Sequence, residues 1–194
     1  MKPIRLALFA SGSGSNAENI VQYFSKNDQV QVVIILSNKK DAFVHERAKK
    51  LGIPSITLQK EVFTQHDGVL SIMKEHQIDF IVLAGFLLLV PPSLVQAYKN
   101  RLLNIHPALL PRFGGKGMYG NRVHESVVAA GALESGITIH FVNENYDEGD
   151  VVFQAKCPVL PLDTPDDVAQ KVHALEYKYF PEIIWRVIKV EFGL

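Results

Sequence analysis

Ile4-Arg5-Leu6-Ala7-Leu8-Phe9-Ala10, followed at once by Ser11-Gly12-Ser13-Gly14-Ser15-Asn16, reads as a buried strand that turns sharply into a helix. Near-continuous apolar residues mark a strand covered on both faces, as in parallel sheets. Lys2 and Arg5 sit where a signal peptide would carry charge, but this apolar stretch is shorter than the roughly 7–15 residues a signal needs. The small residues of the turn let a backbone approach an anion closely, and the free N–H groups of a helix start favour negative charge. The turn lacks the third glycine of the dinucleotide fingerprint and the Lys-Ser or Lys-Thr of a P-loop, so a single phosphate suits it better than a dinucleotide or triphosphate. A tight turn capped by Ser or Asn would carry the same residues, and both readings stay open.

Outward from this unit the pattern repeats. Val30–Ser37, Ile53–Leu58 and Asp79–Gly85 are further apolar runs, and between them Asn16–Asn27, Asp41–Leu51 and Val62–His76 carry helical spacing. Gly52 is placed to stop the second helix. Strand and helix in alternation imply βαβ units with right-handed crossovers. A short strand at Leu102–Ile105 ends at His106-Pro107, a Gly- and Pro-rich loop fills 107–121, and a helix is expected at about Val123–Ala132. Gly136–Val142 and Val151–Cys157 read as strands whose connection is too short for a crossover, so they should be antiparallel. Thr164-Pro165 opens a last long helix, which Pro181 should interrupt. The expected fold is a single α/β, Rossmann-like domain. Its central sheet is mostly parallel, with helices on both faces and an antiparallel C-terminal strand pair.

Two further segments carry chemistry. In Leu102-Leu103-Asn104-Ile105-His106-Pro107, alternation points Asn104 and His106 to one side, and Pro107 keeps His106 extended at the strand's carboxyl end, where open α/β sheets bind ligands. A neutral amide beside a ring that can charge suits a developing oxyanion, although a histidine tied to backbone in a Pro-rich turn is the equal alternative. Tyr146-Asp147-Glu148-Gly149-Asp150 is an acidic turn that, alone, reads as a solvated hairpin, but a carboxylate aimed at an imidazole would orient it. His45, His66, His76, His124 and His173 lie in polar-flanked helical stretches and are expected at the surface, while His140 reads as structural. No His-Glu pair has a second His four residues after the first, so no metal is expected.

The 194 residues fit one domain, 47% of them hydrophobic and 21% charged, with twenty basic residues balancing twenty acidic ones. That balance points away from nucleic acid and anionic membrane. No run reaches the roughly 20 apolar residues of a membrane span. The single Cys157 fits a reducing cytoplasm.

Taken together, Gly12–Asn16, Leu83-Ala84-Gly85-Phe86, Asn104–Pro111, Gly136–Val142 and Asp147-Glu148-Gly149 resemble the phosphoribosylglycinamide formyltransferase family, folate-dependent enzymes of purine synthesis. The resemblance runs in order from about residue 4 to residue 188. It implies transfer of the formyl group of 10-formyltetrahydrofolate, a cosubstrate, to an amine of glycinamide ribonucleotide, with Asn104, His106 and Asp147 as the catalytic set. It places Gly14, Ser15, Asn16 and Glu176 on the ribonucleotide, and Leu87, Leu88, Leu89, Val90, Asn104, Asn143 and Asp147 on the folate. It divides the single domain 1–194 into a phosphate half, 1–100, and a catalytic and folate half, 101–194. Partners are then small molecules, with the chain a monomer or homodimer. The chain departs from many relatives at Leu88, where they carry Arg, and near His66, where others do; the stretch Gly114–Arg122 is unusual. Two other readings are a formyltetrahydrofolate hydrolase and a non-catalytic phosphosugar-binding module.

Overall fold

The opening apolar run becomes β1 (Ile4–Phe9), whose Leu6, Leu8 and Phe9 are completely buried. Each such side chain contributes about 1.5–3 kcal/mol on burial. The computed structural model describes residues 2–64 and 68–194, so His66 lies outside the described residues. After β1 come α1 (Ser15–Phe24), β2 (Val30–Ser37), α2 (Val44–Leu51), β3 (Ser55–Thr57), α3 (Lys60–Thr64) and α4 (Gly68–Glu75). Then follow β4 (Phe80–Leu83), α5 (Pro92–Ala97), β5 (Leu102–His106), α6 (Asn121–Ala129), β6 (Glu134–Phe141), β7 (Val151–Pro158) and α7 (Pro165–Phe192).

The strands form one sheet in the order β3-β2-β1-β4-β5-β6-β7. The first five positions pair in parallel, and β6 runs antiparallel to both β5 and β7. The period of two along β1 splits its side chains between two cores. Leu6 and Leu8 join Ile20, Phe24, Val127, Phe180 and Ile184 on one face, and Ala7 and Phe9 join Phe63, Met73 and Leu94 on the other. The expected α/β sheet with helices on both faces is therefore present. The helix expected over 62–76 runs across residues 65–67, which lie outside the described residues, with α3 before them and α4 after; α5 is an element the sequence did not signal. α5 is a short helix opened by Pro92 at its first turn.

Pro181 does not interrupt the last helix. α7 runs through it, from a reciprocal cap between Thr164 and Asp167 to Gly193 in a left-handed conformation. A proline inside a helix leaves the carbonyl four residues back without its donor and costs roughly 3 kcal/mol. Here that carbonyl belongs to Tyr177, and Asn19 Nδ2 of α1 donates to it at 2.9 Å. The neighbouring helix supplies what proline removed. No described helix is long and apolar enough to cross a membrane.

Candidate active site

β1 lies between β2 and β4, so the order of the sheet reverses there, and open α/β sheets bind ligands outside the carboxyl ends of strands at such a point. The turn after β1 and the loop after β4 are tied together at this place. Ser11 N–H donates to Gly85 O at 2.9 Å, and Leu87 N–H donates to Ser11 Oγ at 2.9 Å. The carbonyls of the turn are spent on flanking helices: Gly12 O accepts from Val44 N–H at 3.2 Å, Ser13 O from Arg47 Nε at 2.9 Å, and Gly14 O from Glu18 N–H at 2.9 Å. The first N–H groups of α1 have no partner within the helix, and no side chain caps them. The alternative of a turn capped by Ser or Asn is thus not what forms. Gly14 is required twice over, by its φ of 73° and because a Cβ there would run into Val44.

Asn16 turns to the far end of the chain. Its Nδ2 donates to Glu176 Oε2 at 2.9 Å, and His173 Nδ1 lies 3.0 Å from the same oxygen. Glu176 is buried, and Asn16 Oδ1 is buried without a partner among the described residues. The Glu176 hydrogen bond raises the His173 pKa above its ordinary value, against burial.

Asn104 and His106 sit near the end of β5, and the acidic turn after β6 brings Asp147 between them. His106 Nδ1 is 3.4 Å from Asp147 Oδ2, and Asn104 Nδ2 is 3.5 Å from Asp147 Oδ1. Asp147 is the acid of its turn that faces inward: Glu144 pairs with Gln96 and Glu148 with Asn145. Its backbone adopts a left-handed φ of 57°, uncommon outside glycine, which turns the carboxylate toward the ring. Gly115 N–H fixes Asp147 Oδ2 at 2.9 Å from the other side.

The sequence missed a fourth member. His140, directly across the ladder from Asn104, presents Nδ1 to its neighbour's carbonyl, Phe141 O, at 2.8 Å, so Nδ1 carries the hydrogen. Its Nε2 then accepts from Asn104 Nδ2 at 3.0 Å. His140 is tied by hydrogen bonds, as a structural histidine would be, and what it ties in is the cluster of Asn104 and Asp147. Thr138 lies on the same face two residues earlier, donates to Ala108 O at 2.7 Å and accepts from Leu110 N–H at 3.0 Å, which pins the loop after His106. Polar residues at alternate positions of an otherwise apolar strand were the available signal.

Charge in this centre is set by competition. Burial pushes the His106 pKa down, and Asp147 and the Phe113 carbonyl pull it back only in part. Burial pushes the Asp147 carboxyl up, but the neighbouring imidazoles of His140 and His106 and the Gly115 N–H together hold it below its ordinary value.

One cavity of about 810 Å³ joins these parts. The turn Ser11–Asn16 and Glu176 line one region, Asn104, His106, His140 and Asp147 another, and Leu87, Leu88, Leu89 and Val90 a third. Leu88 and Leu89 are partly open to solvent, whereas Val90 is also core. Asn143 is not part of the lining. Its Oδ1 accepts from Asn145 N–H at 3.0 Å and shapes the turn, while Val142, Asn145 and Tyr146 face the cavity. Of the histidines expected at the surface, His173 is exposed and His45 and His76 are half-buried, but His124 is 3% exposed and lines the cavity. It was misread because polar neighbours on α6 conceal that its own position faces α7. Among the described residues no group of His, Cys, Asp and Glu is arranged to hold a metal.

Residues 4–184 match the family model described as formyl transferase. The chain is 43% identical over 186 residues to a chloroplastic phosphoribosylglycinamide formyltransferase of Arabidopsis thaliana, covering 93% of this chain and 64% of that protein. Against the phosphoribosylglycinamide formyltransferase of Haemophilus influenzae it is 33% identical over 185 residues, covering 93% of this chain and 85% of that one. The chain thus spans less than two thirds of the plant relatives, 64% and 59%, and most of the bacterial one. The crystal structure of phosphoribosylglycinamide formyltransferase from Bacillus halodurans superposes with a TM-score of 0.84 at 36% identity, covering 95% of each chain. That from Streptococcus pneumoniae gives 0.83 at 36% identity, over 97% of this chain and 99% of the other.

Proposed function

Because the chain belongs to the formyl transferase family, we propose that it transfers the formyl group of 10-formyltetrahydrofolate to the amine of 5'-phosphoribosylglycinamide, in purine biosynthesis. The observation that carries this reading is the single cavity that connects an uncapped helix start, a polar centre and an apolar rim. Its volume falls in the range of small-molecule sites, roughly 300–1,000 Å³. The phosphate goes to the N–H groups of Gly14, Ser15 and Asn16, and Glu176 takes the sugar end. Residues 1–100 supply most of the phosphate seat, and 101–194 the formyl centre, with Glu176 reaching back across.

The apolar wall of Leu87, Leu88 and Leu89, with the turn Asn143–Asp147 opposite, fits the flat pterin of a folate. Bound there, the folate supplies the formyl carbon. Asn104 and His106 meet the negative charge that gathers on the formyl oxygen. Asn104's contact with Asp147 is long, at 3.5 Å, so that N–H can turn to the oxygen while its partner stays on His140. His106 already holds one hydrogen toward Phe113, and a second proton, released by the attacking amine as its bond to the formyl carbon forms, would sit on Nδ1 facing Asp147, so the ring charges as negative charge develops beside it. Asp147 holds the ring's orientation and can order a proton-carrying water. Each such donor is typically worth 10²–10³ in rate, about 2.7–4 kcal/mol. We place the enzyme in the cytoplasm, as a monomer or homodimer acting on small molecules.

The test is formyl transfer from 10-formyltetrahydrofolate with and without the ribonucleotide. Turnover that requires the amine supports the proposal. Loss of formyl without the amine would make the chain a hydrolase, and binding without turnover would make it a phosphosugar-binding module.

A further inference from the structure

The turn Ser11–Asn16 offers hydroxyls and N–H groups to a phosphate dianion but no cation of its own. Glu176 lines this end of the cavity and Asp166 lines the cavity further along α7, and both would repel it. Arg47 is near but committed, with Nε on Ser13 O and Nη1 paired with Glu18. Two lysines line the cavity, Lys39 and Lys116, and Lys116 belongs to the opposite wall, next to the Gly115 that holds Asp147.

Lys39 lies two residues beyond β2, the strand beside β1, and its neighbour Asn38 accepts from the hydroxyl of Ser11. Its backbone is fixed on both sides. The N–H donates to Ser37 Oγ at 3.2 Å, and the carbonyl accepts from Ala42 N–H at 3.3 Å and faces His45 Nε2 at 3.2 Å. Its side chain is exposed on the cavity wall, and the ion pairs among the described residues involve Arg47, Lys156, Lys171 and histidines rather than Lys39. A rooted backbone thus carries an uncommitted ammonium beside an anion seat.

We propose that Lys39 is the counter-charge for the phosphate of the ribonucleotide and selects the phosphorylated substrate over its unphosphorylated riboside. This rests on the formyl-transfer reading above. A compact ammonium on a flexible stem suits a phosphate, which it meets as a point charge from several directions.

The experiment compares the ribonucleotide with glycinamide riboside at saturating 10-formyltetrahydrofolate. Lys39→Gln should lower kcat/KM for the ribonucleotide about tenfold, through KM, the loss of one charged hydrogen bond. For the riboside it should change by less than about twofold, since there is no phosphate to lose. Lys39→Arg should restore most of the preference, and Lys40→Gln, adjacent but outside the cavity lining, should alter neither substrate. Raising salt from about 0.05 M to about 0.5 M should erode the wild-type preference more than that of Lys39→Gln. Equal losses for both substrates, or no loss for either, overturn the proposal. If the wild type turns over neither, the formyl-transfer reading fails separately; calorimetric titration of the ribonucleotide into wild type and Lys39→Gln still decides Lys39 by the same factor.

Discussion

The carbonyl oxygen of Phe113 lies 2.7 Å from Nε2 of His106, and a carbonyl only accepts, so that nitrogen carries a hydrogen in either charge state of the ring. The second proton, when present, sits on Nδ1 toward Asp147 at 3.4 Å. Phe113 and Asp147 both hold a left-handed φ of 57°, and they grip the ring at its two nitrogens. The imidazole of His106 is oriented by two backbone positions that few side chains adopt without cause.

Replacing the carboxylate changes only one side of that grip. Asp147→Asn removes an upward pull on a ring that burial already holds low, so its titration midpoint should fall further. Turnover should drop by about 10²–10³. His106→Asn should cost at least as much, and the double variant much less than the product, because the two act as a unit. Glu148→Gln and Asp150→Asn should change little. NMR titration of the ring with parallel rate profiles checks all of this; an unchanged or raised midpoint in Asp147→Asn, or losses that multiply, would dissolve the pairing.

Acid stability follows from two buried rings. Burial holds both His106 and His124 below the usual imidazole value, so as pH falls below about 6.5 the unfolded chain protonates first. The unfolded state then binds more protons, and the stability these rings contribute above that pH is lost as pH drops toward their folded values. His173 works in the opposite sense, adding stability at low pH that fades as pH rises through its raised value, but it is about half exposed and weighs little. His124→Gln should flatten the fall in Tm between about pH 7 and pH 5. An unaltered slope would mean that His124 titrates alike in both states.

Asn16 separates the two ligands. Its amide links α1 to Glu176 at 2.9 Å, so Asn16→Ala should weaken ribonucleotide binding about tenfold and leave folate binding nearly unchanged. Gly14→Val is a poorer probe, because its side chain would strike Val44 and disturb the turn before any ligand arrives. Titration of each ligand decides it, and equal losses would make Asn16 a structural tie only.

The run Leu87–Val90 should divide between rim and core. Leu88 is 39% exposed at the cavity, so Leu88→Arg should leave stability within about 0.5 kcal/mol. Val90 is buried, and Val90→Ala should cost about 1.5 kcal/mol from lost methyl burial alone. Urea unfolding of the pair tests the division, and a Leu88→Arg protein that does not fold would put Leu88 in the core.

What the sequence made legible follows from period and composition. The apolar runs are strands because a run of four to eight such residues between turns has few other uses, and Val30–Ser37 is a strand with those limits. Asn104 and His106 could be paired from alternation within one strand. His140 could not, because its partner lies across a ladder whose register depends on the length of the intervening loop. His124 was hidden for a related reason: burial of a helix face is decided by the helix it meets. The direction of Asn143 could not be read because neighbouring residues of a turn point in different directions.

Pro181 offers the last test, since the sequence rule it breaks is a strong one. α7 passes through the proline because Asn19 donates to Tyr177 O in place of the missing N–H. Asn19→Ala should therefore cost about 1 kcal/mol in the natural chain, the net value of one hydrogen bond and the exposure of its acceptor. In a Pro181→Ala background residue 181 regains an N–H that reaches Tyr177 O along the helix, and Asn19→Ala should then cost less than about half as much. Pro181 is buried, so Pro181→Ala also opens space and its own effect mixes two signs. The difference between the two Asn19→Ala measurements cancels that mixture, since it isolates the coupling between positions 19 and 181. Urea unfolding of the four proteins gives the cycle. Equal costs in both backgrounds would show that Asn19 does not stand in for the lost donor, and the continuity of α7 would then have to come from packing of Phe180, Ile183 and Ile184 against the sheet.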